Sequence, residues 1–215
     1  MARARAAELA RSLAALAVLV ATATAIVAVW IARPGTSTAA APQLAPLPAD
    51  APAATGPITP ARLQIPAIGV DATVESRGTV QYDNPFTGER VDGYGVPESM
   101  WTTSWWSDGP QPGSGQMAVI LGHSQAAGGA VFDDLADVHE GDEVLLVDGG
   151  GAVLHLQVLG DPVTGLDKAT SELADALNGH PDGADLALVT CGGEFDREAG
   201  VSEDNEVVFA TVLER

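Results

Sequence analysis

One thiol and four imidazoles bound the chemistry open to this chain. Cys191 is the only cysteine. It ends the apolar run Leu186-Ala187-Leu188-Val189-Thr190, and Gly192 and Gly193 follow at once. A thiol becomes a ready nucleophile near neutral pH when an imidazole stands beside it. Of His123, His139, His155 and His180, only His123 has a matching position, two residues after the apolar run Met117-Ala118-Val119-Ile120-Leu121. His139 and His180 lie in polar turns, and His155 lies inside a strand-like stretch, facing solvent or a polar neighbour. Cys191 and His123 are therefore the candidate nucleophile and acid/base. Thiolate attack on an acyl group also builds an oxyanion, which backbone N–H groups and a fixed cation stabilise. Arg197, six residues past Cys191 on a loop long enough to fold back over the sulfur, is a candidate cation, but the residues alone read better as a solvated arginine paired with Glu194, Asp196 or Glu198.

Other chemistries find little support. Asp133, Asp134 and Asp137 do not have the spacing of a calcium loop and read as a solvated acidic turn. No zinc-ligand spacing and no phosphate-cradling glycine loop is present, so no metal and no cofactor is expected. Met100-Trp101 and Trp105-Trp106 offer a stacking surface for glycan, but read better as core.

The elements that must position the thiol are short apolar runs broken by Gly, Pro, Asp and Asn. Strands are expected at 63–68, 70–74, 117–121, 143–147, 152–159, 186–190 and 206–213. Asp148-Gly149-Gly150-Gly151 forms a hairpin turn between two of them. Gly192-Gly193 reads as a turn open to another backbone. Two short helices are expected, at 130–138 and 171–177, the second with Ser171 as N-cap. Strands at this spacing imply an all-β barrel or sandwich spanning about 61–215, a length sufficient for one real core.

The preceding residues have other tasks. Leu13 to Ile31 is an uncharged stretch of 19 residues, close to the roughly 20 needed to cross a bilayer as a helix. Arg3, Arg5 and Arg11 precede it, which puts the N-terminus in the cytoplasm and the remainder outside. Residues 1–33 are read as a cytoplasmic tip and retained anchor. Cleavage near Ala39-Ala40-Ala41 is the alternative. From 34 to 60, seven prolines (34, 42, 46, 48, 52, 57 and 60) among Ala, Thr and Ser make an extended spacer. The part after residue 33 carries 6 basic against 28 acidic groups, a charge of −22. That charge disfavours nucleic acid and anionic membrane surfaces and favours, weakly, an amine-bearing partner.

Taken together in chain order, these segments resemble the sortase family. The resemblance runs through Arg62-Leu63-Gln64-Ile65-Pro66-Ala67-Ile68-Gly69, Trp105-Trp106, Ala118-Val119-Ile120-Leu121-Gly122-His123 and Ala130-Val131-Phe132-Asp133-Asp134-Leu135. It ends in Leu188-Val189-Thr190-Cys191. It covers essentially all of 61–215. The ending Thr190-Cys191-Gly192-Gly193-Glu194-Phe195-Asp196-Arg197 followed by Asp204-Asn205-Glu206-Val207-Val208 is most similar to class F sortases of actinobacteria.

The resemblance implies a closed eight-stranded β-barrel held at the cell membrane, outside the cell. It also implies a cysteine transpeptidase that cuts a Leu-Pro-x-Thr-Gly sorting signal on secreted proteins through a thioacyl intermediate. The acyl group then passes to an amine, such as a peptidoglycan precursor or another acceptor, or to water. On this chain Cys191 would be the nucleophile, His123 the acid/base and Arg197 the oxyanion contact, with Thr190, Gly192 and Asn205 touching substrate. In many sortases the arginine lies just before the final apolar run, a place that Asn205 holds here. Two other readings remain: a catalytically weak, sortase-like interaction module, and another wall-directed cysteine transpeptidase. The latter is disfavoured because 188–190 contain no His.

Overall fold

The computed structural model describes residues 43–125 and 128–213. The apolar span at 13–31 lies outside them. Among the described residues there are eleven strands: β1 Pro60–Ile65, β2 Val70–Arg77, β3 Thr79–Asp83, β4 Arg90–Tyr94, β5 Thr103–Trp106, β6 Ala118–Gly122, β7 Glu143–Asp148, β8 Val153–Val158, β9 Val163–Asp167, β10 Leu186–Asp196 and β11 Val201–Val212. The α-helix of the described residues, α1, spans Glu172–Asn178.

Eight strands close on themselves in the order β10-β6-β5-β2-β1-β7-β8-β11, and the β10–β11 pairing completes the circuit. β9 joins β11 on the outside, while β3 and β4 form a separate hairpin. The architecture is thus the expected all-β closed barrel of eight strands, with one helix. Closure leaves the barrel strands with few free edges to pair with other chains.

Alternation along the central strands sorts the apolar side chains into two cores. Leu186 and Leu188 of β10, Ala118 and Ile120 of β6, and Val208 and Ala210 of β11 fill the barrel. Their neighbours Ala187, Val189, Val119, Leu121, Val207 and Phe209 face outward. Leu166 of β9 and Leu177 of α1 cover that second face. A three-strand patch apolar on both sides needs this cover, because each buried Val or Leu contributes about 1.5–3 kcal/mol only if both faces are kept from water.

Several expectations need correcting. Residues 130–138 form turns and a single 3-10 turn at Leu135–Asp137, not an α-helix. Ser171 gives α1 no side-chain cap, because its hydroxyl donates to the Asp175 carboxylate at 2.8 Å. Gly192-Gly193 does not end the strand. Gly192 pairs with Asp204, and β10 runs on to Asp196. The end of the expected spacer also lies on the barrel. Val153 N donates to the Pro52 carbonyl, Ala54 N to the Val153 carbonyl, and Ile58 is buried. These bonds satisfy the start of β8, where the pairing with β11 has ended at Leu156–Val212.

Candidate active site

Register brings the thiol and the imidazole together. β10 lies between β6 and β11, parallel to the first and antiparallel to the second. On the β6 side, Leu188 stands beside Ile120 and Val189 beside Leu121. The ladder ends there and β6 ends at Gly122; the same register continued by two residues would set Cys191 opposite His123. On the β11 side Cys191 pairs directly with Asn205.

Orientation follows from the same alternation. Val189, Leu121 and Val207 face outward, so Cys191, His123 and Asn205, each two residues away, face outward too. The inner positions confirm the phase. Thr190 is buried, and its hydroxyl donates to the Gly122 carbonyl at 3.0 Å. A Cβ on Gly122 would lie 2.3 Å from Phe132 Cδ2 of the barrel core. Cys191 and Asn205 thus pair on the outer face of β10 and β11, at the end of the second core, and His123 follows directly after the neighbouring β6, in line with them.

Hydroxyls fix the row where the β6–β10 ladder stops. Thr190 bonds across to β6, and Ser124 Oγ donates back to the Cys191 carbonyl at 2.5 Å. His123 is held twice. Its carbonyl accepts from Phe132 N at 2.9 Å, and its Nε2 lies 2.9 Å from the Pro97 carbonyl. Asp133 shapes the loop that follows, accepting from Gln125 N and Ala130 N at 2.8 Å each. The acidic turn therefore serves a structural purpose, and no metal-binding group of His, Cys, Asp or Glu occurs among the described residues. Cys191 is a free thiol, partly accessible to solvent.

Arg197 does not join the row. The segment expected to fold back over the sulfur is a β-hairpin arm, with Phe195 opposite Ser202 and Asp196 opposite Val201. Arg197 is exposed in the turn beyond Asp196. Six residues of strand set it roughly 15–20 Å from Cys191 along the arm. The residue facing the thiol across the ladder is Asn205, whose amide offers two donors in place of a guanidinium.

Thr190, Gly192 and Glu206 occupy the inner side of the same strand ends. Glu206 pairs with Thr190, and a Cβ on Gly192 would lie 2.5 Å from Glu206 Cγ. Burial and the nearby Asp204 charge push the Glu206 carboxyl above its usual range. Gly192 is thus a packing requirement of the hairpin as well as a backbone beside the thiol. Sequence reasoning missed the Pro97 carbonyl and the Ser124 hydroxyl. A backbone acceptor carries no residue signature, although Ser124 was visible as a polar neighbour of His123.

A closed β-barrel with a free cysteine within β10 and a histidine directly after the neighbouring parallel β6 is a scaffold suited to thiol chemistry. The chain matches the Sortase domain model over residues 63–213 and belongs to that family. Among solved structures it is similar to sortase A from Corynebacterium diphtheriae, with 20% identity and a TM-score of 0.50. That alignment covers 74% of this chain and 62% of the other, so the chain spans less than two thirds of that relative's length. The lid mutant of the same protein aligns at 22% identity and a TM-score of 0.50, covering 75% and 73%. Sortase C-1 from Actinomyces oris aligns at 20% identity and 0.48, covering 72% and 73%. At such identities the structural likeness speaks for the fold. No curated protein matches the sequence.

Proposed function

We propose that this protein is a class F-like sortase: a membrane-anchored cysteine transpeptidase acting outside the cell on secreted proteins with a C-terminal Leu-Pro-x-Thr-Gly sorting signal. The row His123, Cys191, Asn205 is the observation that carries the reading. In the first half-reaction Cys191 Sγ attacks the Thr carbonyl. The S–C bond forms, the Thr–Gly C–N bond breaks, and His123 protonates the departing Gly amine. In the second half-reaction an acceptor amine attacks the thioester, the S–C bond breaks, His123 takes the amine's proton, and Cys191 leaves as the thiolate beside the protonated imidazole with which the first half-reaction begins. A peptidoglycan precursor amine fits as acceptor, and water substitutes when no amine is present. The Asn205 amide, with backbone N–H groups, stabilises the oxyanion in place of the arginine at first expected at 197. No metal or cofactor takes part in these steps. The membrane anchor at 13–31 and the acidic exterior fit an exported enzyme that meets amine-bearing partners.

The test is direct. The purified protein is incubated with a Leu-Pro-x-Thr-Gly peptide, with and without an added amine, and analysed by mass spectrometry. Cleavage accelerated by the amine, and a thioacyl adduct on Cys191, are expected. Cys191→Ala and His123→Ala each remove both. Full cleavage by Cys191→Ala would end the transpeptidase reading. A thioacyl adduct that forms but turns over very slowly would favour the interaction module, which the lack of a cation at the thiol keeps in view.

A further inference from the structure

His123 sits between the thiol row and a loop that has no other evident task. The ring Nε2 lies 2.9 Å from the Pro97 carbonyl. A carbonyl can only accept, so Nε2 carries the hydrogen in this contact. A neutral imidazole has one donor nitrogen and one acceptor nitrogen. Binding Pro97 therefore selects the Nε2–H tautomer and leaves Nδ1 as the nitrogen able to gain or lose a proton.

That selection depends on where the carbonyl is held. Pro97 is buried in the segment 95–102, which joins β4 to β5 without regular structure. Glu75 of β2 organises this segment. Glu98 N donates to both Glu75 carboxylate oxygens at 3.1 Å. The Thr102 hydroxyl donates to Glu75 Oε1 at 2.5 Å. Arg77, one turn of pleat further on, holds the Glu98 carboxylate at 2.6 Å and lies 3.8 Å from that of Glu75. The other end is fixed by backbone, with Gly95 N bound to the Gly78 carbonyl at 3.0 Å and Ser104 Oγ bound to the Gly95 carbonyl at 2.7 Å. Met100 O accepts from Val131 N at 2.8 Å, which ties the loop to the segment whose Phe132 N holds the His123 carbonyl.

We propose that Glu75 is a positioning residue for the thiol chemistry. Its carboxylate clamps 95–102 so that the Pro97 carbonyl fixes the Nε2–H of His123, and Nδ1 is the nitrogen that delivers the proton to the leaving amine and takes it from the incoming one. The last clause rests on the transpeptidase reading; the clamp and the tautomer do not. A carboxylate is suited to the role because one group accepts from a backbone N–H and a hydroxyl at once. It touches neither His123 nor Cys191.

The test reads the tautomer and the turnover separately. The full chain, labelled with 15N-histidine, is examined by long-range 1H–15N correlation at a pH where the ring is neutral, and His123→Gln identifies the His123 signals. Wild type is expected to show the Nε2–H tautomer. Glu75→Ala is expected to give a mixture of tautomers and a kcat lower on the order of 10- to 100-fold, as displacement of a catalytic group by about an ångström does. KM for the peptide changes less than kcat. Glu75→Gln, whose amide oxygen still accepts from Glu98 N, restores most of both. An Nδ1–H tautomer in wild type would overturn the proposal, as would a folded Glu75→Ala with tautomer and kcat unchanged. If no peptide is cleaved by any variant, the transpeptidase reading fails, while loss of the tautomer in Glu75→Ala still supports the clamp. A Glu75→Ala protein that does not fold leaves Glu75→Gln to decide: a wild-type tautomer supports the clamp, and a mixed one counts against it.

Discussion

Replacing Gly122 by alanine tests the link between the barrel core and the catalytic row. Gly122 precedes His123 at the end of β6 and faces the interior. A methyl group there would meet Phe132 at 2.3 Å from Cδ2, 2.6 Å from Cε2 and 2.8 Å from Cγ. Ordinary carbon contacts lie near 3.5–4.0 Å, so the ring must retreat by at least about 1 Å. It has little room. Phe132 is 1% exposed and packs in the core that also holds Leu135 and Val131. Forced insertion of a methyl group into a well-packed core costs about 1–3 kcal/mol. In a domain of this size that is roughly 2–12 °C of Tm. The displacement also reaches the site, because Phe132 N holds the His123 carbonyl. Peptide turnover should therefore fall in the same variant.

Urea and thermal unfolding read the stability, with the second substitution Phe132→Leu as the control. Phe132→Leu alone leaves space and destabilises. In Gly122→Ala/Phe132→Leu the new methyl group uses part of that space, so the double variant should be more stable than the sum of the singles predicts, by about 0.5 kcal/mol or more. Strict additivity, or a Gly122→Ala protein as stable as wild type, would refute the reasoning that Phe132 packs directly on the β6 glycine.

Two further predictions concern the strand opposite the thiol. Asn205→Ala should lower kcat by about 10²–10³-fold, the usual effect of losing one oxyanion donor, while Arg197→Ala should leave the rate within about twofold. The reverse pattern in peptide-cleavage assays would return the role to Arg197. Glu206→Gln should stabilise the fold at neutral pH. The folded carboxyl has a raised pKa from burial and from Asp204, so its ionisation opposes folding. The penalty is absent below the unfolded carboxyl pKa and appears as pH rises through the folded one. Thermal unfolding of both proteins from acid to neutral pH should show the advantage of the Gln variant growing with pH. An advantage that is constant with pH would mean that it comes from packing.

What the sequence revealed follows from which features are local. Apolar runs announce β6 and β10, and the single cysteine of the sequence lies at the end of one of them. Three strands outside the barrel were harder to see. Thr79–Asp83 and Arg90–Tyr94 have almost no buried position, and Val163–Asp167 buries only Leu166. Without an apolar alternation there is no period to detect. Gly192-Gly193 carries the strongest local turn signal in the chain, and pairing with β11 overrides it. Gly193 adopts φ 71° and leaves Asp204 close by, so the glycines accommodate a bulge in the hairpin instead of ending it. The expectation for Arg197 rested on the same turn. A turn at Gly192-Gly193 would return the chain to the sulfur, whereas a strand carries it away.

Register, more than residue identity, decides which groups serve the thiol. A strand slip of one residue would turn Cys191 into the barrel and bring Thr190 or Gly192 outward. Two features oppose such a slip, and they lie on opposite faces of the sheet. Within the barrel the buried Thr190 hydroxyl needs the Gly122 carbonyl, and an orphaned buried hydroxyl costs about 1–3 kcal/mol. Outside it, Val189, Leu121 and Val207 need the cover given by β9 and α1. The same register that aligns His123 with Cys191 assigns Asn205 to the third place. An amide there has a consequence for this acidic domain. Asp204 and Glu206 pair with Gly192 and Thr190 on the inner side, so alternation turns their carboxylates away from the thiol and from Asn205. Asparagine supplies donors to a developing oxyanion without recruiting a counter-charge, so the acidic hairpin and the thiol chemistry are compatible on one pair of strands.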